Sequence, residues 1–220
     1  MRRFFHVYQF AGPAFALPVS YWCWWQAYDG SHLMAVATLA VPIVYAYVIP
    51  GLGTNWLKLW DFNTRLKIGR FRPHHGFVFG SATSLLALPC FEPAQVPFEL
   101  SGLLRTAFLV GTVLAFWNWL YDAHALRAGF IVIRRQPYQS HLSHEAFAMQ
   151  YAPAFFGAVG ACYGAYLYLA TYVLWTLGRV DLFWWVLLGG ISAMLTVPVG
   201  AYVAVSFARY GASGLSFPKE

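Results

Sequence analysis

The chain carries little charge. Only 10% of its 220 residues are Asp, Glu, Lys or Arg, against roughly a quarter in an ordinary soluble domain. A water-soluble fold needs a more polar surface than this composition supplies. Because 60% of the residues are hydrophobic, a soluble globular domain is excluded and lipid is the expected solvent.

Cysteines and familiar catalytic motifs are also scarce. Cys23, Cys90 and Cys162 have no close-spaced partner, so the chain has neither a CxxC redox motif nor a zinc knuckle. It contains no glycine-rich phosphate loop and no nucleophile elbow. The net charge of +6 is interrupted by long apolar runs and forms no continuous basic face, so nucleic acid is not an expected partner.

Long apolar runs fill most of the chain. Roughly 20 helical residues are needed to cross about 30 Å of hydrocarbon. Six stretches have the required length or apolarity, and they lie near 7–27, 33–52, 75–92, 103–122, 147–177 and 182–207. The sequence therefore predicts an all-α integral membrane protein, a bundle of about six transmembrane helices that forms one domain over residues 1–220.

The distribution of Lys and Arg predicts the orientation, because positively charged loops stay on the cytoplasmic side. Only Arg105 and Arg179 fall on one side of the predicted topology. The other side receives Arg2, Arg3, Lys58, Arg65, Lys67, Arg70, Arg72, Arg127, Arg134, Arg135, Arg209 and Lys219. We expect a multi-pass protein of the cell membrane, of the bacterial inner-membrane type, with both termini cytoplasmic.

Small residues recur at helical spacing in the fifth span. The run from Gly157 to Gly164 places glycine and alanine three and four residues apart. Such spacing lets neighbouring membrane helices approach closely. The run therefore predicts a helix contact rather than a ligand groove.

Polar side chains gather where the fourth span ends and the fifth begins. They are Asn118, Asp122, His124, His141, His144 and Glu145. Residues three or four apart on a helix share a face, so a connection of some twenty residues would bring the two groups together. Ionisable groups at a membrane boundary are costly and often functional. An interfacial loop, with Asp122 paired to Arg127 or Arg134, is the alternative interpretation.

The donor types suit a transition metal such as Fe, Zn or Cu, since imidazole and carboxylate are borderline or hard ligands. We assign the metal to His124, His141 and His144, with His74 and His75 as additional ligands. Asp122, Glu145 and Asn118 are the catalytic candidates. A single histidine holding a haem or a pigment is the alternative cofactor assignment.

A second polar patch, residues 70–76, opens the third span. Its side chains Arg70 and Arg72 are candidates for substrate binding, because guanidinium groups bind carboxylate or phosphate through two hydrogen bonds. An ordinary basic cluster attracted to anionic lipid explains the same arginines.

The segment from Arg134 to Tyr138 reads Arg-Arg-Gln-Pro-Tyr. It resembles the Arg-His-Pro-x-Tyr run of membrane methyltransferases that act on phospholipids and isoprenylated substrates, with Gln136 in place of the histidine. The resemblance implies a lipid-like or isoprenoid substrate and a substrate-binding role for Tyr138. The clustered histidines also resemble those of histidine-box hydroxylases and desaturases, which would make the protein an oxidoreductase. Neither likeness assigns the chain to a family.

Two functions follow from these patterns. The first is a membrane-embedded enzyme, with or without a metal, that acts on a lipid-like or isoprenoid molecule at the cytoplasmic interface. Without a metal, the carboxylates and imidazoles would serve as general acid and base in an isomerase or cyclase. The second is a non-catalytic subunit of a larger respiratory, photosynthetic or biosynthetic membrane complex, which would associate with other membrane subunits.

Overall fold

The computed structural model describes residues 2–134 and 142–215, and this part of the chain is mostly helical. It contains seven α-helices: α1 (Arg2–Ala27), α2 (His32–Gly51), α3 (His75–Ala87), α4 (Leu100–Arg127), α5 (His144–Met149), α6 (Ala152–Ala170) and α7 (Phe183–Tyr210). Short turns of a different pitch extend some of them. These are π-helical Leu52–Trp56 and Thr171–Thr176, and 3₁₀-helical Leu88–Cys90 and Val180–Leu182.

Within residues 2–134 and 142–215, four helical segments are long and apolar enough to cross a membrane. They are His32–Trp56, Leu100–Arg127, Ala152–Thr176 and Val180–Tyr210. The prediction of an all-α fold is confirmed, and the four apolar helices are compatible with a membrane protein. The first and third predicted spans are not among these four segments. Helix α1 has the length but begins with Arg2, Arg3 and His6. The apolar helix His75–Cys90 is shorter than a full crossing.

The fifth predicted span, 147–177, is wrong as a single helix. The chain forms α5, leaves helical geometry at Tyr151, and starts α6 at Ala152 with Pro153 in its first turn. Proline has no backbone N–H and is tolerated in a first turn but not in a helix interior. Pro153 therefore marks the start of a second helix.

A two-stranded ribbon, which the sequence analysis did not predict, joins two connections. Strand β1 (Trp60–Phe62) pairs antiparallel with β2 (Ile131–Ile133), and Asp61 lies opposite Val132. Isoleucine and valine favour extended backbone. The pairing places the connection after α2 and the connection after α4 at the same end of the molecule.

Further contacts bring the chain's basic segments to this end of the molecule, which we call the basic end. It comprises residues 2–8, 52–74, 121–134 and 202–215. The Phe5 ring stacks on Phe130 with centroids 5.3 Å apart, and Tyr210 Oη donates to Gln150 Oε1 at 3.1 Å. The other connections meet at the opposite end. There Tyr28 and Thr171 hydroxyls lie 2.8 Å apart.

Helices α4 and α6 pack through small residues, as the run from Gly157 to Gly164 predicts. A β-carbon at Gly160 would lie 2.5 Å from the Val110 carbonyl oxygen and 2.8 Å from Gly111 Cα. Glycine is thus the residue that allows the two backbones to touch. The predicted helix contact is confirmed.

Replacing this glycine tests the contact. In Gly160→Ala the new methyl group meets backbone atoms that cannot rotate away, and we expect the free energy of unfolding to fall by about 1–3 kcal/mol. Gly189→Ala is the matched control, because a β-carbon there meets nothing within 4 Å. Thermal unfolding in detergent measures both. Equal midpoints for the two variants would contradict the contact.

Candidate functional site

A largely apolar cavity of about 220 Å³ lies between the helices at the basic end. Side chains of α2, α3, α4, α6 and α7 form its walls, and the β1–β2 ribbon closes one side. Its polar lining side chains are Tyr45, His75, Asn118, Tyr121, Asp122, Tyr151 and Tyr202. Aliphatic residues and phenylalanines supply most of the rest. An apolar pocket with a few converging polar groups is the usual form of a ligand site.

Asp122 is the carboxylate among the described residues that line this cavity. Its residue is 8% exposed, and the Tyr151 hydroxyl donates a hydrogen bond to Oδ2 at 2.9 Å. Tyr151 lies at the break between α5 and α6, so the split of the fifth span creates this partner. The bond fixes the carboxyl group at the cavity wall.

Asn118 lies one helical turn before Asp122 and lines the same cavity. Its Nδ2 donates to the Leu114 carbonyl at 2.9 Å. Four residues make nearly one turn of helix, so both side chains share the inner face of α4. The predicted common face of these two catalytic candidates is confirmed.

His75 reaches the cavity from the first turn of α3 and rests on a buried arginine. Arg72 is 1% exposed, and its Nε and Nη2 donate to His75 Nδ1 at 3.0 and 2.8 Å. The guanidinium lies over the rings of Phe62 and Phe130, with its carbon 4.6 and 5.4 Å from the centroids. Cation–π attraction offsets part of the cost of burying this charge.

Neighbouring His74 faces α1 instead of the cavity. Its Nε2 donates to Gln9 Oε1 at 3.2 Å. Burial lowers the pKa of His74 to about 4, and the Arg72 charge acts in the same direction. The imidazole of His74 is therefore neutral at neutral pH.

One cavity hydroxyl is unpaired within the part of the chain that the structure describes. Tyr45 Oη is buried and has no hydrogen-bond partner there, whereas Tyr121 Oη is buried beside the Arg72 guanidinium. Buried hydroxyls are normally bonded to protein or to water. Because arginine only donates, the O–H groups of both tyrosines remain available to a molecule that enters the cavity.

The other predicted residues lie elsewhere. Glu145 pairs with Arg127 at the surface, and His144 is exposed at the start of α5. His124 is half-buried at the end of α4 and is not among the cavity's lining residues. No group of three or more His, Cys, Asp or Glu that could hold a metal occurs within residues 2–134 and 142–215. His141 and Tyr138 lie outside the described residues.

The arginines of the second patch also differ in their surroundings. Arg70 lies 3.5 Å from the Asp61 carboxylate, which also pairs with Arg134. The alternative interpretation of Asp122 as a partner of Arg127 or Arg134 is wrong, because those arginines pair with Glu145 and Asp61. Arg72 is enclosed behind His75 rather than exposed to headgroups.

Comparison with known proteins gives no guide to the site. No protein-family model, no curated protein and no solved structure matches the chain. The functional assignment therefore rests on the cavity itself.

Sequence reasoning missed the tyrosines of the cavity. No functional role was predicted for Tyr45, Tyr121 or Tyr151. Tyr45 lies well inside the predicted second span, and that position is the one signal that could have singled it out. The sequence around Tyr151 contains no such signal, because the hydrogen bond from Tyr151 to Asp122 depends on the break before α6.

Gly53 keeps the Trp60 indole against the cavity. A β-carbon on Gly53 would overlap the indole ring, whereas one on Gly51 meets nothing within 4 Å. We expect Gly53→Ala to displace Trp60, to lower the free energy of unfolding by about 1–3 kcal/mol, and to speed hydrogen exchange in β1 and β2. Gly51→Ala should leave exchange unchanged. Unaltered exchange in Gly53→Ala would contradict this role of the glycine.

Proposed function

We propose that the protein is a membrane-embedded enzyme that binds a lipid-like or isoprenoid molecule in this cavity and acts on it by acid–base chemistry at Asp122. One observation carries the proposal. A buried carboxyl group, held by the Tyr151 hydroxyl at 2.9 Å, faces an apolar cavity of about 220 Å³. The cost of burying an ionisable group in such surroundings is typical of a functional site.

The shape of the lining favours an apolar substrate with one polar end. Phe79, Phe155, Phe156 and the isoleucines of β2 surround most of the space. The polar side chains of α3 and α4 supply the remainder. A hydrocarbon chain gains burial along the first group, and its functional group is then held beside the carboxyl of Asp122.

Acid–base chemistry follows from what surrounds Asp122. A carboxyl group at an apolar cavity wall can give a proton to a double bond or an oxygen atom, and its carboxylate can take a proton from a neighbouring carbon. Tyr151 orients the group throughout. Such a pair of transfers moves a double bond or closes a ring with no net gain of atoms, which corresponds to an isomerase or a cyclase.

This form of the proposal uses residues of the cavity rather than the predicted metal cluster. The metal ligands His124, His141 and His144, and a haem or a pigment as the alternative cofactor, stay predictions. The role of a non-catalytic subunit that associates with other membrane proteins also stays a prediction.

We further propose six membrane crossings, with α1 and α3 inserted beside the four long helices and the basic end in the cytoplasm. Gathering of Lys and Arg at one end supports this orientation. Buried bonds between α1 and α3, such as that from Trp24 Nε1 to the Ser84 carbonyl at 3.2 Å, support insertion of both. The cavity would then open near the cytoplasmic interface of a bacterial-type inner membrane.

Thiol labelling tests this orientation. In a chain whose three native cysteines are replaced by serine, we expect Ala94→Cys to react with a membrane-impermeant maleimide in sealed cells. Asn63→Cys, at the basic end, should react only after lysis. Labelling of Asn63→Cys in sealed cells would contradict the cytoplasmic placement.

The catalytic proposal is tested by replacing the carboxyl group. Purified protein in liposomes is incubated with a lipid extract of the native membrane, and conversion is followed by liquid chromatography and mass spectrometry. We expect Asp122→Asn to lower conversion by about 10²–10⁴-fold, because the amide cannot transfer the proton. Unfolding midpoints show whether each variant is folded.

Asp181→Asn is the matched control, since this exposed carboxylate pairs with Arg179 at the opposite end. It should convert lipid at the wild-type rate. Full activity in Asp122→Asn would refute the proposal. An equal loss in Glu145→Gln would return the chemistry to the predicted histidine cluster, and a haem or pigment band without turnover would favour the subunit alternative.

A further inference from the structure

The contact between Arg72 and His75 fixes which ring nitrogen carries the proton. Two guanidinium N–H groups point at Nδ1, at 3.0 and 2.8 Å. Arginine has no acceptor, so Nδ1 must be the unprotonated nitrogen. A neutral imidazole then carries its hydrogen on Nε2, which is a donor. Nε2 makes no hydrogen bond to any residue in the described part of the chain.

Packing holds this arrangement in place before any molecule enters. Arg72 is enclosed by Phe62 and Phe130, and the His75 ring lies 4.9 Å from that of Phe62 and 6.1 Å from that of Phe79. These ring contacts and the hydrogen bonds between the two side chains hold His75 and Arg72 together. Arg72 is therefore a positioning residue that acts through His75.

Two cavity hydroxyls are further donors beside His75 Nε2. Tyr45 is 2% exposed and lines the cavity, and its Oη has no partner in the described residues. Tyr121 also lines the cavity, with its Oη beside the Arg72 guanidinium, which has no acceptor, so its O–H remains a donor. Each hydroxyl can rotate to donate to an oxygen atom within its reach. Three donors thus line the cavity, whose Asp122 carboxyl group is hydrogen-bonded to Tyr151 instead.

We propose that the cavity selects an apolar molecule that carries a carbonyl oxygen, such as a ketone, an ester or a quinone, and that the oxygen accepts from His75 Nε2–H. This inference rests on the proposed function and names its substrate class. A carbonyl oxygen only accepts hydrogen bonds, which complements the three donors. At His75 Nε2–H a protonated amine would place donor against donor and would add a second cation near the buried charge of Arg72. Only by moving to the Asp122 carboxyl would an amine find an acceptor, and the comparison of ketone with amine tests that arrangement.

Three probes of one carbon skeleton separate the possibilities. Geranylacetone is the ketone, and the matched compounds are the corresponding primary amine and the hydrocarbon without oxygen. Each is titrated into the full chain in phosphatidylcholine nanodiscs, with empty nanodiscs subtracted. We expect the ketone to bind about tenfold more tightly than the hydrocarbon and more tightly than the amine. The carbonyl stretch of carbon-13-labelled ketone should fall in frequency on binding.

Variants assign the preference to named groups. His75→Phe keeps an aromatic ring without the donor, so the preference for the ketone and the infrared shift should be lost while the hydrocarbon still binds. Arg72→Met should weaken the preference, and Arg72→Lys should restore part of it. If the Arg72 variants do not fold, Tyr45→Phe is measured instead. It removes the hydroxyl donor of Tyr45 and should likewise weaken the preference for the ketone. Tyr166→Phe is the matched control, because its hydroxyl donates to the Ala37 carbonyl at 3.1 Å, outside the cavity.

The outcomes distinguish the inference from the proposed function. Equal affinity for ketone and hydrocarbon, or tighter binding of the amine, would overturn the carbonyl assignment while lipid binding in the cavity stands. Binding of none of the three probes would overturn both. A ketone preference that survives in His75→Phe would remove the role of the Arg72–His75 pair.

Discussion

Gly160 allows the backbone of α6 to lie against the Val110 carbonyl of α4, and the two helices then run side by side to the basic end. Asp122 comes from α4 and Tyr151 from the residue before α6, so their hydrogen bond at 2.9 Å requires this approach. Larger side chains along the seam would separate the helices. The cavity and its carboxyl group are consequences of that one close contact.

The apolar runs predicted the long helices well, because the length needed to cross a bilayer is a strong constraint on composition. Small residues at helical spacing likewise predicted that a neighbouring helix packs closely on the run from Gly157 to Gly164, and the structure shows that this neighbour is α4. The β1–β2 ribbon was missed, since three-residue strands in a loop have no periodicity to detect. The break in the fifth span was missed although Pro153 marked it.

Part of the site was predictable and part was not. The pair Asn118 and Asp122 follows from a spacing of four residues, which is a property of one helix. Asp122 and His124 were grouped because they are close in sequence, yet a separation of two residues turns a helical side chain by about 200°. The structure buries Asp122 and leaves His124 half-buried outside the lining. Contacts between helices, such as Tyr151 with Asp122, need the packing to be known.

The ribbon that closes the cavity joins strands some seventy residues apart, β1 at Trp60–Phe62 and β2 at Ile131–Ile133. During synthesis the first strand leaves the ribosome well before its partner, and α3 and α4 must be made in between. The hydrogen bonds of β1 to β2 therefore form only after α4 is complete. The ribbon side of the cavity is therefore completed late in synthesis, after every helix from α1 through α4 has been made.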